Sequence, residues 1–411
     1  MNYELFIAKR IIAGKEYKSS ISSPIIKIAI TAIALGITIM LIAVSIASGF
    51  QHKIRDKMTG FKGHIQITNY DNNTSEVSTV PISKKQNFYP NFNTISGIKG
   101  VQIFANKAGI IRTATDFEGI VLKGVAADYD FSFFNEYLLQ GRLPNFSLKR
   151  NKEILISESI ANSLNLKLND TIRTWFPSEK SSMKFKSRKP IIVGIFNTGF
   201  EQFDSTVLIG DIREVQHING WNEDQIGGFE VIIDDFNQLK EKGNEVYTSI
   251  GATLNSSTIV DSYPAIFEWI KLFDNNVWFI IIIMVFIAGI NMITALLVLI
   301  LERVQMVGIL KALGSNNWGI RKIFLYNATY LIIKGLFWGN LIGISLLLLQ
   351  KYGSIITLNP KTYYVSIVPV DINILTVILL NIGTLVLCFL MLIIPSIIIT
   401  KIHPSKSIRF A

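Results

Sequence analysis

Four runs of apolar residues, each long enough to cross a bilayer, constrain this chain more than any other feature. They cover residues 25–48, 277–301, 323–349 and 372–399. A spanning helix needs roughly 20 consecutive, mostly apolar residues. In lipid the backbone must satisfy its own hydrogen bonds, so an apolar run of this kind is a helix. Between the first and second runs lies a mixed sequence of about 220 residues, enough for one large aqueous domain or two small ones.

Charge orients these runs. The net charge is +10, yet residues 50–272 hold 25 Lys/Arg against 25 Asp/Glu. The excess flanks the apolar runs: Lys9, Arg10, Lys15, Lys18 and Lys27 near the first, Arg303, Lys311, Arg321 and Lys322 between the second and third, and Lys401, Lys406 and Arg409 after the last. The acidic residues of the same flanks are only Glu4, Glu16 and Glu302, and the only basic residues in the loop between the third and fourth runs are Lys351 and Lys361. Basic residues in short flanks mark the cytoplasmic side. Both termini are therefore expected in the cytoplasm and the large domain outside it. No basic face is left over for nucleic acid. The single cysteine, Cys388, lies in the fourth run and allows no internal disulfide. The first run begins too late and runs too long for a cleaved signal peptide, so it reads as a retained anchor.

The expected division is a cytoplasmic amphipathic helix (1–24), a first span (25–49), an ectodomain (50–272), a second span (273–301), a cytoplasmic loop (302–322), a third span (323–349), a short outer loop (350–371), a fourth span (372–399) and a tail (400–411). Tyr3, Phe6, Ile7 and Ile11 recur at helical spacing beside Lys9 and Arg10, which suits a helix lying in the membrane interface. Ala32, Ala34, Gly36, Ala43, Ser45 and Ala47 would permit close packing of the first span. No strong breaker follows before Gly60, so that helix should continue past the membrane.

In the ectodomain, alternation predicts strands at 64–68, on either side of 116–119, and at 153–157, 170–176, 189–196, 206–210 and 229–235. Helices are expected over 91–98, 157–166, 212–218 and 237–251. Strands and helices interleave, which makes the ectodomain α+β or mixed α/β. The fold class is thus a four-helix membrane protein with a large α+β ectodomain between its first two helices.

Motifs for chemistry are missing. The sequence has no P-loop, HExxH or GxSxG, and its four histidines show no metal-ligand spacing. No catalytic, cofactor or metal residue is assigned, and an enzyme is the least expected class. The informative segment is 301–324 (LERVQMVGILKALGSNNWGIRKIF), a short loop with Val304, Val307, Ile309, Leu310 and Leu313 beside Lys311 and a helix-stopping Gly314. A short helix projecting from a membrane bundle is a handle for a soluble partner.

This loop and the helix before it resemble the C-terminal core of the FtsX-like ABC permeases, most similarly the LolC/LolE lipoprotein-releasing subunits, with MacB as a relative. FIAKR, SGFQHKIRDKM, GHIQI, GRLP, KEILISESIANSLNLKLND, IVGIFNTGFEQFDSTVLIG and HPSKSIR fall in family order across the whole chain. MacB carries a fused N-terminal ATPase, whereas residues 1–24 alone precede the first run here. The FtsX ectodomain is much smaller. Both differences favour the LolC/LolE likeness.

The resemblance implies a permease that transmits force mechanically. Arg303, Val304, Met306, Val307, Gly308, Leu310, Lys311, Leu313 and Gly314 would form the coupling helix seated in a separate ATPase, which would hold the ATP and Mg. The other implied partners are a second permease subunit, identical or not, lipoprotein substrates, a periplasmic carrier and membrane lipids. The ectodomain would divide into a porter-like part (about 50–125 with 216–272) and a sabre-like part (about 126–215). Acyl chains would enter between the first two spans beside Ile39, Ile42, Ile46, Ile283, Phe286 and Ile290. Lys180, Lys184, Lys186, Arg188 and Lys189 cluster in an otherwise neutral domain. By position they resemble a carrier-contacting hairpin, with a solvated loop as the plainer reading. The resemblance also admits MacB-like export of another amphiphile or peptide, and FtsX-like activation of a cell-wall hydrolase. Lys334 falls mid-way along the third span, where a lysine costs roughly 2.5–3.5 kcal/mol on insertion scales. Snorkelling, or a span that begins later, would relieve it. Asn291 and Asn340 are expected to hydrogen-bond between helices.

Overall fold

A computed structural model describes residues 3–13, 22–72, 77–146, 151–178 and 185–402. Among these, eight helices have eight or more residues: α1 (Tyr3–Ala13), α2 (Ser22–Lys62), α3 (Ile212–Asn219), α4 (Leu239–Ser249), α5 (Pro264–Glu302), α6 (Val304–Ala312), α7 (Asn317–Gly353) and α8 (Ile374–Ser396). The chain divides into two compact units. One holds residues 1–51, 269–356 and 367–411, and the other residues 52–268 and 357–366. The division falls inside α2 and inside α5.

The four apolar runs are α2, α5, α7 and α8, all long and apolar enough to cross a membrane. Each of the first three extends beyond its apolar window. Hydropathy marks where lipid is tolerated, while the helix continues through amphipathic sequence such as PAIFEWIKLF at the start of α5. Within the membrane unit, α7 packs on α2 through Gly335, Gly339 and Gly343. A Cβ on Gly339 would meet Ala34 O at 2.6 Å, and one on Gly335 would meet Ile33 Cβ at 2.7 Å. Close approach also lets the Thr38 hydroxyl donate to Gly339 O at 3.0 Å. Small residues at four-residue spacing allow this contact, where dispersion rather than hydrophobicity holds helices together. Gly36 faces Met284 of α5. Ile37, Met40, Met292, Leu296, Phe324 and Cys388 fill the core of the unit.

Asn340 of α7 and Asn381 of α8 exchange amide hydrogen bonds at 2.6 and 2.9 Å, the interhelical pairing expected of Asn340. Asn291 differs. Its amide donates to Ile287 O one turn earlier in its own helix. An exposed amide on a helix reaches its own i−4 carbonyl without any neighbour.

The second unit is built on a mixed sheet. Its strands begin with β1 (Ile65–Asn69), β2 (Ile82–Ser83), β3 (Ile98–Arg112), β4 (Phe117–Val125), β5 (Leu138–Gly141) and β6 (Glu153–Ser157). They continue with β7 (Thr174–Pro177), β8 (Phe185–Arg188), β9 (Ile191–Phe196), β10 (Val207–Asp211), β11 (Gln225–Ile226), β12 (Gly228–Ile233) and β13 (Leu254–Thr258). The main sheet runs β13-β1-β12-β3-β4-β10-β6-β9-β5, with β7 paired to β3 and to β8, while β2 and β11 pair apart. β10 runs parallel to β4, and β6 parallel to β9; the other pairings are antiparallel. Strands of the expected porter-like part pair with strands of the expected sabre-like part: β4 with β10, and β3 with β7. The helix expected over 91–98 is a series of turns. Asn, Thr, Ser and a Gly97 at φ +79° favour turns there, and Phe92 and Ile95 are buried without helical geometry.

α2 ends inside this second unit. Gly63 stops it at φ +69°, a left-handed conformation that favours glycine, and the Gly63 amide closes on Thr59 O at 2.7 Å. Phe61, on the last turn, is buried in an aromatic cluster. Its ring centroid lies 4.7 Å from Phe203 and 5.4 Å from both Phe133 and Phe134. Full burial of such a side chain contributes about 1.5–3 kcal/mol.

Candidate functional site

Three features can bear function: the loop around α6, the seat of α2 in the sheet, and the exposed faces left by the spans and the β7–β8 hairpin.

α6 is the helix expected in the loop between the second and third spans. Gly314 terminates it at φ +90°, with Gly314 N donating to Lys311 O and Ser315 N to Leu310 O. The Asn316 side chain then caps α7 by accepting from Gly319 N at 2.7 Å. Burial sorts the residues of the segment. Val307 and Gly308 are buried, and Met306 and Leu310 pack against the membrane core. Leu313 and Gly314 are exposed, while Arg303, Val304 and Lys311 are half-buried. The open face is carried by Gln305, Ile309, Ala312 and Leu313, with Ile309 52% and Leu313 80% exposed. Ile309 was visible in the sequence as part of the apolar pattern. Its outward position follows from Val307 and Gly308 taking the inner face.

Lys311 reaches away from that open face. Its ammonium donates to Ile399 O at 2.8 Å and Ile402 O at 2.7 Å, with Thr400 O at 3.4 Å. α1 lies beside the same region. Tyr3 OH is 2.9 Å from Ser315 Oγ, and Glu4 is 3.9 Å from the Lys322 ammonium. Leu5 and Phe6 point outward, as an interfacial helix requires.

The seat of α2 is polar as well as aromatic. Lys123, on β4, is fully buried and donates to both oxygens of Glu230 on β12 at 2.8 Å. It also donates to Phe61 O at 2.5 Å, and Tyr129 OH donates to Gly60 O at 3.3 Å. The last carbonyls of a helix lack intrahelical donors, and a cation there is favourable. Burial draws the Lys123 ammonium below its usual value, with the Glu230 carboxylate pulling against that shift. Nearby, the Lys57 ammonium donates to Tyr364 O at 3.0 Å, and Tyr364 stacks on Phe200 at 5.0 Å. Asp204 accepts from Thr198 N and Oγ1, and burial pushes its carboxyl up to about 6.

The basic cluster splits. Lys180 and Lys184 lie outside the described residues. Lys186 donates to Ile218 O at 2.5 Å at the C-terminal end of α3, and Arg188 Nε donates to Glu214 at 3.2 Å on the same helix. Those two cations brace β8 against α3. Lys189 is exposed at the base of the hairpin.

On the spans, Ile283, Phe286 and Ile290 share one exposed stripe of α5 with Phe279, Ile282 and Ile287. Ile39 is exposed on α2, whereas Ile42 and Ile46 are half-buried. Lys334 is exposed on α7, its ammonium 4.6 Å from the Tyr330 ring centroid. The cation–π contact is worth about 0.5–2 kcal/mol and offsets part of the insertion cost.

Sequence reasoning missed two arrangements. The Gly335–Gly339–Gly343 spacing was a readable signal. The Lys123–Glu230 pair spans 107 positions and left no local one.

Comparisons bear on what these features serve. The chain is similar to the lipoprotein-releasing system transmembrane protein LolE of Haemophilus influenzae, 21% identical over 99% of each chain. It is similar to the LolC proteins of Neisseria meningitidis (20% identical, 99% of each chain) and Buchnera aphidicola (23%, 95% of this chain and 94% of the other). Among solved structures, the periplasmic region of MacB from Actinobacillus actinomycetemcomitans is 17% identical, with a TM-score of 0.32, over 50% of this chain and 92% of that one. The extracellular domain of the ABC-type transporter YknZ is 13% identical, also with a TM-score of 0.32, over 48% of this chain and 100% of that one. The MacB-like periplasmic core domain matches residues 28–246, and the FtsX-like permease C-terminal domain matches residues 278–404. With more than half its length in the first match and its remaining spans in the second, the chain belongs to the MacB-like, FtsX-like family of ABC transporter permeases.

Proposed function

We propose that this permease couples ATP hydrolysis on a separate ATPase to the extraction of lipoproteins from the inner membrane toward the outer membrane. One observation carries the reading: likeness to proteins of the lipoprotein-releasing system extends over 99% of the chain, through ectodomain and spans alike. The family implies an ABC ATPase and a second permease subunit as partners. The sequence has no P-loop of its own, so ATP and Mg would sit on the ATPase.

In this reading the open face of α6, with Ile309 and Leu313, seats in the ATPase. Closure of the ATPases moves the first two spans. Because Lys123 and Phe61 grip the end of α2, its motion is handed directly to the sheet. Acyl chains enter the membrane-facing path beside Ile39, Ile42, Ile46, Ile283, Phe286 and Ile290. The β7–β8 hairpin, held on α3 by Lys186 and Arg188, would meet a soluble carrier beside the exposed Lys189, with Lys180 and Lys184 close by in the sequence. The clustering of Lys and Arg beside the spans supports cytoplasmic termini.

The test is reconstitution with the ATPase and second permease in liposomes loaded with a fluorescent acylated lipoprotein. Release into a carrier-containing medium should require hydrolysable ATP. Equal release without ATP, or ATP turnover with no release, would count against the reading.

A further inference from the structure

The Lys311 side chain belongs to α6 by sequence but to the fourth span by its bonds. α8 ends at Ser396, one residue after Pro395, and a 3₁₀ turn over Ile397–Lys401 follows. Proline supplies no amide to the helical ladder, and a helix end leaves its last carbonyls without donors. The Ser396 hydroxyl takes Ile393 O at 2.6 Å. Ile399 O, which also accepts from Ile402 N at 3.4 Å, faces α6 with Thr400 O and Ile402 O, and the Lys311 ammonium lies within 3.4 Å of all three. An ammonium has three donors and no acceptor. Three carbonyls therefore saturate it, and their negative partial charge at a helix end suits a cation. The surrounding contacts are apolar: Ile399 is fully buried, and Leu310 and Ile402 pack against the same core. A lysine serving only as a surface charge would extend into water instead.

We propose that Lys311 is a positioning residue that fastens the coupling helix to the C-terminal end of the fourth span. A push on α6 then reaches α8 directly, as well as α5 and α7 on either side of it in the chain. This rests on the reading of α6 as the ATPase-docking helix.

The experiment uses the full chain in nanodiscs, with Cys388→Ala and spin labels at Leu313→Cys and Lys401→Cys, both exposed positions. The distance between labels should be narrowly distributed in the parent and broadened in Lys311→Ala, with Lys311→Arg restoring it. In the transporter purified with its own ATPase, Lys311→Ala should keep the ATPase bound and hydrolysing, yet lose lipoprotein release per ATP. Lys311→Arg should recover that release, which a merely misfolded chain would not explain. An unchanged distance distribution and unchanged release per ATP in Lys311→Ala would overturn the proposal. So would loss of the ATPase itself from Lys311→Ala, since Lys311 would then act in docking. If the parent chain brings no ATPase with it, the docking reading fails first and the proposal with it.

Discussion

Lys123 and Glu230 occupy the interior of a sheet, where taking two charges out of water costs several kcal/mol per ion before their attraction returns any of it. Complete use of the donors tips that balance: Lys123 serves two carboxylate oxygens and the Phe61 carbonyl at the end of α2. Lys123→Met alone should therefore destabilise the ectodomain by about 3–5 kcal/mol, because it strands a buried carboxylate. The double change Lys123→Met with Glu230→Leu should recover most of that loss. Thermal unfolding of the full chain in nanodiscs reads both. Asp204 supplies a pH-dependent counterpart. Its folded pKa, about 6, lies above the ordinary 3.8 because of burial. A group with a raised pKa contributes stability that is fully present below its unfolded pKa and lost as pH rises through the folded one. The Asp204 contribution should thus be greatest below pH 4 and be lost between about pH 4 and 6, and Asp204→Asn should flatten that part of the pH profile. None of these three residues was singled out by sequence. Isolated acidic and basic residues in a neutral domain read as surface until the topology brings β4 and β12 to either side of β3.

Helices show the opposite contrast, since most were legible and only their packing was not. The apolar runs, the stop at Gly314 and the extension of α2 toward Gly60 all followed from periodicity and breakers, which are local properties. The glycine stripe on α7 was equally local. Its meaning depended on the residues it meets on α2. Gly339→Leu should force α7 from α2, since even a Cβ would sit 2.6 Å from Ala34 O. Gly383→Ala, where a Cβ meets nothing within 4 Å, should be neutral or slightly stabilising. Folded yield and thermal midpoint in detergent compare the two. On α6 the structure separates positions that the sequence grouped together. Ile309→Asp and Leu313→Asp should abolish co-purification of the ATPase while leaving the chain folded. Gly308→Asp should lower folded yield instead, because Gly308 is buried.

At the scale of the molecule, membrane class and domain order were legible because hydropathy and charge are sums over many residues and tolerate local error. The pairing order of the sheet was not, since β4 pairs in parallel with β10 across more than 80 intervening positions. The basic hairpin shows the same limit: a cluster of like charges in sequence becomes, in part, a brace between β8 and α3. What the assembly moves is the claim with most at stake, and it has a direct measurement. Depleting the protein from its own cells and fractionating the membranes should strand outer-membrane lipoproteins in the inner membrane, with membrane proteins that lack acyl anchors unaffected. Lipoproteins that still reach the outer membrane at the normal rate would contradict the account.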